Sequence, residues 1–217
     1  MHNLKLNRIL SKPVTALLLT TPVTPNQITF FNLFLGILAG FFFSKGNYFT
    51  SLSGAAVYQL LSVLDNCDGE IARAKNLKSE FGGWLDIFVD LLNDTALFTG
   101  ISIGLLKNDS QAFIFLFGIL AITGNFFHSL IVIAEKLKGF GPAVFSHDTP
   151  NGAGRENIFF KIFNAFREGE ASWFVVLFTL TGSIQWLLVL GAFYTQFLWI
   201  SALLLNFKWL FATNENY

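Results

Sequence analysis

The chain is organised around Asp65-Asn66-Cys67-Asp68-Gly69-Glu70-Ile71-Ala72-Arg73, followed after eight residues by Gly82-Gly83-Trp84-Leu85-Asp86-Ile87-Phe88-Val89-Asp90. On a helix, Asp65 lies one turn from Asp68, and Asp86 lies one turn from Asp90, so each pair shares a face. Apolar sequence precedes the first pair and follows the second, which predicts two helices that leave a shared polar end. Converging carboxylates repel one another unless a cation lies between them. Oxygen ligands favour Mg²⁺ first and Mn²⁺ second.

The composition indicates a membrane protein. Of the 217 residues, 53% are hydrophobic and only 13% are charged, and aromatic residues reach 17%. A soluble domain of this size is rarely so poor in charge. The formal net charge is zero, so bulk charge does not indicate a nucleic-acid partner. The single cysteine, Cys67, is expected to be a small buried filler, because thiolate does not suit a hard cation.

Hydrophobic patterning predicts an all-α, integral membrane bundle of six helices in a single membrane-embedded domain covering residues 1–217. Residues 3–20 alternate apolar and basic positions, which is typical of an amphipathic helix lying at the membrane surface. The six apolar segments are long enough to be membrane spans. They cover residues of about 28–44, 50–74, 82–106, 112–134, 168–182 and 186–211.

Two pairs of glycines lie within the predicted spans. Gly36 and Gly40 are four residues apart in the first span, and Gly100 and Gly104 are four residues apart in the third. Small residues at this spacing let two helix backbones approach each other closely. We therefore expect close helix packing at these positions.

Basic residues predict the orientation of the bundle. With six spans and the N-terminus inside, only Lys45 and Lys107 of the 14 lysines and arginines fall on the outer side. Because lysine and arginine accumulate in cytoplasmic loops, both termini and the aspartate motif are expected at the cytoplasmic face.

The motif resembles the signature of the CDP-alcohol phosphotransferases, which are integral membrane enzymes of phospholipid and related synthesis. The pattern D-x-x-D-G-x-x-A-R, eight residues, G-x-x-x-D-x-x-x-D is matched at Asp65, Asp68, Gly69, Ala72, Arg73, Gly82, Asp86 and Asp90. The resemblance implies a magnesium-dependent transfer of a substituted phosphate group from a CDP-alcohol donor to an alcohol acceptor, with release of CMP. It also implies a homodimer, six spans and two cytoplasmic termini.

The motif region is most similar to the di-myo-inositol-phosphate-phosphate synthase type, whose donor is CDP-inositol. Asn66 replaces a glycine expected for that type, and Leu91 replaces a basic residue that many family members carry. The donor is therefore either CDP-inositol-like or CDP-diacylglycerol.

Each motif residue suggests a role in that reaction. Two cations about 4 Å apart would neutralise the diphosphate and stabilise the attacking and leaving oxygens. The expected metal ligands are Asp65, Asp68 and Asp86. Asp90 lies one turn deeper, so it is expected to act as the general base for the acceptor and also to touch a metal.

The nucleotide is expected to contact one set of motif residues. Small residues let it lie against the helix backbones, and an arginine can pair with a phosphate. The expected nucleotide-binding residues are Asp65, Asp68, Gly69, Ala72, Arg73 and Gly82. Asn26, in Thr24-Pro25-Asn26-Gln27-Ile28-Thr29, either helps at the nucleotide end or caps the helix that follows.

Residues that would hold the acceptor are less sharply indicated. Asp94 continues the row of Asp86 and Asp90, and either lines the acceptor pocket or is a buried structural carboxylate. Arg155 and Arg167 are the candidates for binding a phosphorylated acceptor, since arginine suits bidentate phosphate contacts. The alternative is that they are ordinary cytoplasmic charges. Glu70 and Glu80 are expected to be solvated.

Two other interpretations of the acidic motif remain open at this stage. A divalent-cation transporter or channel would also place acidic residues in a membrane, but its polar residues should continue through the bilayer. An inactive relative that serves as a partner subunit would not need all eight motif residues.

Overall fold

The computed structural model describes residues 6–108, 112–137 and 171–211, and the regular structure in these ranges is all helical. A helix is found at each predicted segment, with ends within three residues of those expected, apart from ends that fall outside the described residues. The helices are α1 (Leu6–Leu19), α2 (Pro25–Ser44), α3 (Tyr48–Ala74), α4 (Glu80–Asn108), α5 (Ala112–Leu137), α6 (Ala171–Leu180) and α7 (Ile184–Phe211).

Four of these helices are long and apolar enough to cross a membrane, which supports a multi-pass membrane protein. The apolar stretches are Pro25–Ser44, Glu80–Lys107, Phe113–Ala134 and Ile184–Leu204, in α2, α4, α5 and α7. In the part of the fifth predicted segment that the structure describes, the helix is the ten-residue α6. The count of six spans, the surface location of α1 and the orientation of the termini therefore stay predictions.

The helices pack around a core formed mainly by α2, α3, α4, α5, α6 and α7. Helix α2 lies against both α3 and α4, α5 packs on α7 and α4, and α1 and α6 pack on α3. Many large apolar side chains face outward, such as Phe34, Phe49 and Phe193, which are 58%, 79% and 65% exposed. A soluble protein would bury most of these side chains, whereas a lipid-facing surface does not.

Both glycine pairs lie in close helix packing, as their spacing predicted, and the structure places them in one and the same interface. A Cβ atom at Gly40 would lie 2.5 Å from the carbonyl oxygen of Ala96 on α4. A Cβ atom at Gly100 would collide with the carbonyl oxygen of Gly40, and one at Gly104 with that of Phe43. Only glycine leaves room for such close backbones, so α2 and α4 are held together through the glycine seam, defined as Gly36, Gly40, Gly100 and Gly104.

Helix α1 turns its polar row toward the protein. Asn7, Ser11 and Thr15 are buried, while Leu6, Leu10 and Leu17 on the same helix are exposed. The exposed apolar side chains are suited to lipid contact.

The buried row of α1 explains where Glu70 lies. Ser11 donates a hydrogen bond of 3.1 Å to Oε1 of Glu70, and Thr15 donates to Oε2. The prediction that Glu70 is solvated was wrong, because these two hydroxyl groups supply the donors that water would otherwise provide. Glu80 is exposed, as expected.

Candidate active site

A tight connection between α3 and α4 brings the two halves of the motif together. After α3, Asn76 has a φ of 56°, a left-handed conformation that asparagine tolerates better than most residues. The backbone N–H of Leu77 donates to the carbonyl oxygen of Ala72 at 2.9 Å, which ends the helix. Ser79 then caps α4, since its Oγ accepts from the N–H of Gly82 at 3.0 Å. The C-terminal end of α3 and the N-terminal end of α4 therefore lie side by side, and the two helices run away from this shared end.

Three carboxylates converge at this end. Oxygen atoms of Asp65, Asp68 and Asp86 all lie within 4.8 Å of one another. Asp68 is buried, and the other two are partly exposed. An all-oxygen donor set of this kind fits Mg²⁺ or Mn²⁺, and three carboxylates this close are strongly repulsive without a cation.

Asp90 is not a member of this group of three. It lies one helical turn further along α4 and is exposed, although it is within the helix bundle. The structure thus brings together three of the four predicted metal ligands and leaves the fourth facing open space next to them. The roles assigned to all four stay predictions.

Thr29 supports the acidic group from α2, which the sequence did not predict. Its Oγ1 donates a hydrogen bond of 2.8 Å to Oδ2 of Asp68 and is itself buried. The helix that carries Thr29 is capped by Thr24, whose backbone N–H donates to Oε1 of Gln27 at 2.9 Å. The proposal that Asn26 is the cap was therefore wrong. Its side chain instead approaches Gly82, where a Cβ atom would lie 3.0 Å from Oδ1.

Basic side chains lie over the open backbones of the motif. Arg73 reaches back over Gly69, since a Cβ atom at Gly69 would lie 3.4 Å from Nη1. Lys136 of α5 reaches the start of α4, where its Nζ would lie 2.6 Å from a Cβ atom at Gly83. The same Nζ lies 4.7 Å from the centroid of the Trp84 ring, a cation–π distance. Positive charge thus lies at this end of the bundle, near the carboxylates.

A cavity of about 520 Å³ opens beside the acidic group and extends between α3, α4, α5, α6 and α7. Arg8, Asp65 and Asp90 line it, and so does Asp94. Uncharged polar groups and His128 form one part of the lining: Asn125, His128, Ser129, Tyr194 and Thr195. Apolar side chains form another: Phe174, Val175, Phe178, Leu187, Leu190 and Leu198.

Asp94 lines this cavity and is bound to a tyrosine. Tyr58 of α3 donates a hydrogen bond of 3.0 Å to Oδ1 of Asp94. The sequence did not predict this partner, because Tyr58 is separated from Asp94 by 36 residues and belongs to another helix. The two arginines proposed for the acceptor, Arg155 and Arg167, lie outside the described residues.

Cys67 is fully buried, and its Sγ contacts the carbonyl oxygen of Val63 at 3.3 Å. This confirms that it fills space between the motif aspartates.

Comparison with known proteins gives one family match. The model of the CDP-alcohol phosphatidyltransferase family matches residues 22–145. The bifunctional IPC transferase and DIPP synthase of Archaeoglobus fulgidus is 27% identical over 207 residues, which cover 93% of this chain and 36% of that protein. The archaetidylinositol phosphate synthase of Pyrococcus horikoshii is 33% identical over 96 residues, 44% of this chain and 50% of that protein. The chain thus spans about a third of the first relative and half of the second.

Solved structures of the Mycobacterium tuberculosis phosphatidylinositol phosphate synthase share the fold. The apo form has a TM-score of 0.59 and 20% identity, covering 89% of this chain and 95% of that one. The form with CDP-DAG bound has a TM-score of 0.58 and 19% identity, covering 89% of this chain and 93% of that one. The complex with manganese and citrate has a TM-score of 0.57 and 20% identity, covering 89% of this chain and 88% of that one. At this identity the likeness concerns the fold alone.

Proposed function

The chain belongs to the CDP-alcohol phosphatidyltransferase family, a family of transferases, and from that premise we propose that it transfers a substituted phosphate group from a CDP-linked donor to an alcohol acceptor. CMP leaves in the same step. One observation carries the proposal: the oxygens of Asp65, Asp68 and Asp86 lie within 4.8 Å of one another. Beside them, Asp90 faces a cavity large enough for an acceptor.

Asp65, Asp68 and Asp86 hold Mg²⁺ in this proposal, with two ions bound and Asp90 available as a further ligand. The oxygen-only donor set supports this assignment, and Mn²⁺ would suit the same ligands. When bound, the cations neutralise the diphosphate of the donor and stabilise its leaving oxygen. Thr29 keeps one oxygen of Asp68 engaged and so orients the carboxylate toward the other two.

The donor nucleotide lies across the ends of α3 and α4. Gly69, Ala72 and Gly82 leave the helix backbones accessible there, so a nucleotide can approach them closely. Arg73 over Gly69 and Lys136 over Gly83 bring positive charge to the same surface. Both side chains are exposed and free to pair with phosphate oxygens.

Asp90 acts as the general base. A hydroxyl group of the acceptor, held in the cavity, transfers its proton to the Asp90 carboxylate. At the same time its oxygen attacks the phosphorus that carries the donor's alcohol. A new P–O bond forms, the bond to the oxygen of CMP breaks, and CMP leaves. The exposure of Asp90 to the cavity supports this role, because a base must reach the proton that it removes.

The substrates fall within phospholipid or inositol-phosphate-type synthesis. The donor is either CDP-diacylglycerol or a CDP-inositol-like compound, and the acceptor is an alcohol or a phosphorylated alcohol that Arg155 and Arg167 would contact. The names of the relatives, which include inositol phosphate products, support this range. We place the site at the cytoplasmic face of a six-span homodimer with both termini inside.

The test is metal-dependent release of CMP by the purified protein. CDP-inositol is paired with inositol phosphate, and CDP-diacylglycerol with inositol phosphate or glycerol phosphate. We expect one pair to release CMP with Mg²⁺, and Asp90→Asn to lower the rate by a factor of roughly 100 to 10,000, as loss of a general base does. Glu80→Gln, which also removes a carboxylate but at an exposed helix start, is the matched control and should keep the rate.

Two results would contradict the proposal. The first is a folded protein that releases no CMP with any pair. The second is CMP release that survives Asp90→Asn and removal of divalent metal.

A further inference from the structure

A tyrosine and a carboxylate line the large cavity beyond Asp90. Asp94 lies one helical turn beyond Asp90 on α4, and Tyr58 lies seven residues before Asp65 on α3, which is about two turns. The Tyr58 hydroxyl donates to Oδ1 of Asp94 at 3.0 Å, so the pair bridges the two helices that carry the acidic motif. Tyr58 is 9% exposed, whereas Asp94 is only partly buried, and both line the cavity.

Among the described residues, only one of the two carboxylate oxygens of Asp94 accepts a hydrogen bond. Tyr58 satisfies Oδ1, and among the described residues no donor reaches Oδ2. A carboxylate inside a helix bundle is costly unless its oxygens accept hydrogen bonds. Asp94 is not one of the three carboxylates that converge to form the proposed metal site. A ligand in the cavity would therefore supply the missing donor.

The surroundings indicate what kind of donor this is. Most polar groups that line the cavity deep to Asp90 are neutral: amides of Asn125, hydroxyls of Ser129 and Thr195, and the phenol of Tyr194. Arg8 is the one lysine or arginine in the described lining. A hydroxyl group suits this environment because it can donate to a carboxylate and accept from an amide or a phenol.

The spacing along α4 adds a second requirement. Side chains four residues apart on a helix have Cβ atoms about 5–6 Å apart. A molecule with one hydroxyl at Asp90 and another at Asp94 must therefore carry at least two hydroxyl groups on a small carbon frame.

We propose that Asp94 and Tyr58 bind a second, non-reacting hydroxyl group of the acceptor, and that this contact selects polyols over alcohols with a single hydroxyl. The proposal rests on the proposed function, since Asp90 must hold the reacting hydroxyl. It adds Tyr58 as a positioning residue, because Tyr58 orients the Asp94 carboxylate through its hydrogen bond.

The test compares Asp94→Asn and Tyr58→Phe with the wild type. Acceptors are myo-inositol and glycerol, each free and as its monophosphate, together with analogues that lack one non-reacting hydroxyl. The free and phosphorylated arms identify which form reacts, and the hydroxyl comparison is then made on that form. Tyr48→Phe is the matched control, because it also removes one tyrosine hydrogen bond, to the carbonyl oxygen of Leu180, but outside the lining of the cavity.

We expect each variant to raise the KM for the acceptor about 10-fold, the size of one lost hydrogen bond to a charged group, while the KM for the donor changes less than about twofold. The wild type should prefer the polyol about 10-fold over one deoxy analogue, and Asp94→Asn should abolish that preference. Tyr48→Phe should leave both unchanged.

A purely structural pair would behave differently. Both variants would then lower the melting temperature and weaken donor and acceptor alike, while the wild-type preference for the polyol persisted, and this would overturn the proposal. If Asp94→Asn does not fold, the preference of Tyr58→Phe for the polyol over the deoxy analogue decides between these outcomes.

Binding without turnover separates this proposal from the proposed function. If the wild type releases no CMP, saturation-transfer NMR with myo-inositol and glycerol, each free and as its monophosphate, measures binding directly. Binding that Asp94→Asn or Tyr58→Phe weakens would support the polyol site although the transferase proposal had failed. No binding of either polyol to the wild type, free or as its monophosphate, would overturn the polyol site.

Discussion

Helix α4 has two halves that are built on opposite principles. The first half carries Asp86, Asp90 and Asp94, which approach the aspartates of α3 or line the cavity. The second half carries Gly100 and Gly104 and lies against α2 with no room for a Cβ atom. The first half gathers charged side chains beside open space, whereas the second removes side chains so that two backbones touch.

The difference indicates how a membrane bundle can hold a repulsive site. In lipid, helices do not associate through the hydrophobic effect, so close van der Waals packing supplies the attraction. The glycine seam provides this packing between α4 and α2, and the first half of α4 can then keep a carboxylate within 4.8 Å of two others. We therefore expect stability to depend on the seam and activity to depend on the acidic half of α4.

The largest expected effect is the loss of activity in Asp86→Asn. Removing one of three converging carboxylates should lower metal-dependent CMP release about a thousandfold, or roughly 4 kcal/mol in the barrier, because metal stabilisation of the diphosphate is lost. The same change relieves repulsion, so the melting temperature in EDTA should rise by a few degrees. Melting curves with EDTA and with MgCl₂ measure this.

That measurement separates the acidic half of α4 from the glycine seam. Mg²⁺ should stabilise the wild type by binding and should stabilise Asp86→Asn much less. An equal Mg²⁺-dependent shift in the two proteins would mean that the metal binds elsewhere.

The next effect is the loss of stability in Gly100→Val. The added side chain meets the backbone of Gly40, which cannot move aside as a flexible side chain would. We expect a loss of about 3 kcal/mol or more, since overpacking costs about 1–3 kcal/mol even where neighbours can adjust. Melting in detergent should show the loss equally with and without Mg²⁺.

Ala56→Val is the control for Gly100→Val, because Ala56 is exposed on α3. It should melt close to the wild type. Normal stability of Gly100→Val would mean that α2 and α4 do not pack through the glycine seam.

Features that depend on spacing along one helix could be predicted from the sequence. The three- and four-residue spacings of the aspartates indicated shared helix faces, and the turn between α3 and α4 then brings the faces together. The four-residue spacing of the glycines likewise indicated close helix packing at each pair, although not that the two pairs meet. Both signals are local, so they do not require knowledge of which helices are neighbours.

Contacts between distant helices could not be predicted in this way. Thr29 and Asp68 are 39 residues apart, and Tyr58 and Asp94 are 36 apart, so no spacing rule links them. The sequence also did not predict that the polar face of α1 packs against the protein, and the reason is related. A periodic pattern distinguishes a polar face from an apolar face, but it does not say whether the polar face contacts water or another protein group such as Glu70.

A smaller effect is expected from Thr29→Val, which removes the hydroxyl donor to Asp68 while keeping the shape of the side chain. Loss of a hydrogen bond to a metal-binding carboxylate typically changes metal affinity 10- to 100-fold, because the bond orients that carboxylate. Titration with Mn²⁺ followed by electron paramagnetic resonance measures the affinity. Thr181→Val is the control, because its hydroxyl bonds only to α6 carbonyl oxygens. Unchanged affinity in Thr29→Val would show that Asp68 is oriented by its helix alone.

The smallest effect is expected where α1 contacts the motif helix. Ser11→Ala and Thr15→Val each remove one hydrogen bond to Glu70, which should lower the free energy of unfolding by about 1 kcal/mol each. Thr20→Val, which loses a bond only to the nearby carbonyl oxygen of Leu17, is the control. Because Glu70 lies next to Gly69 and two residues after Asp68, the double variant should also slow CMP release. A double variant with wild-type stability and rate would mean that α1 covers the motif helix without holding it in place.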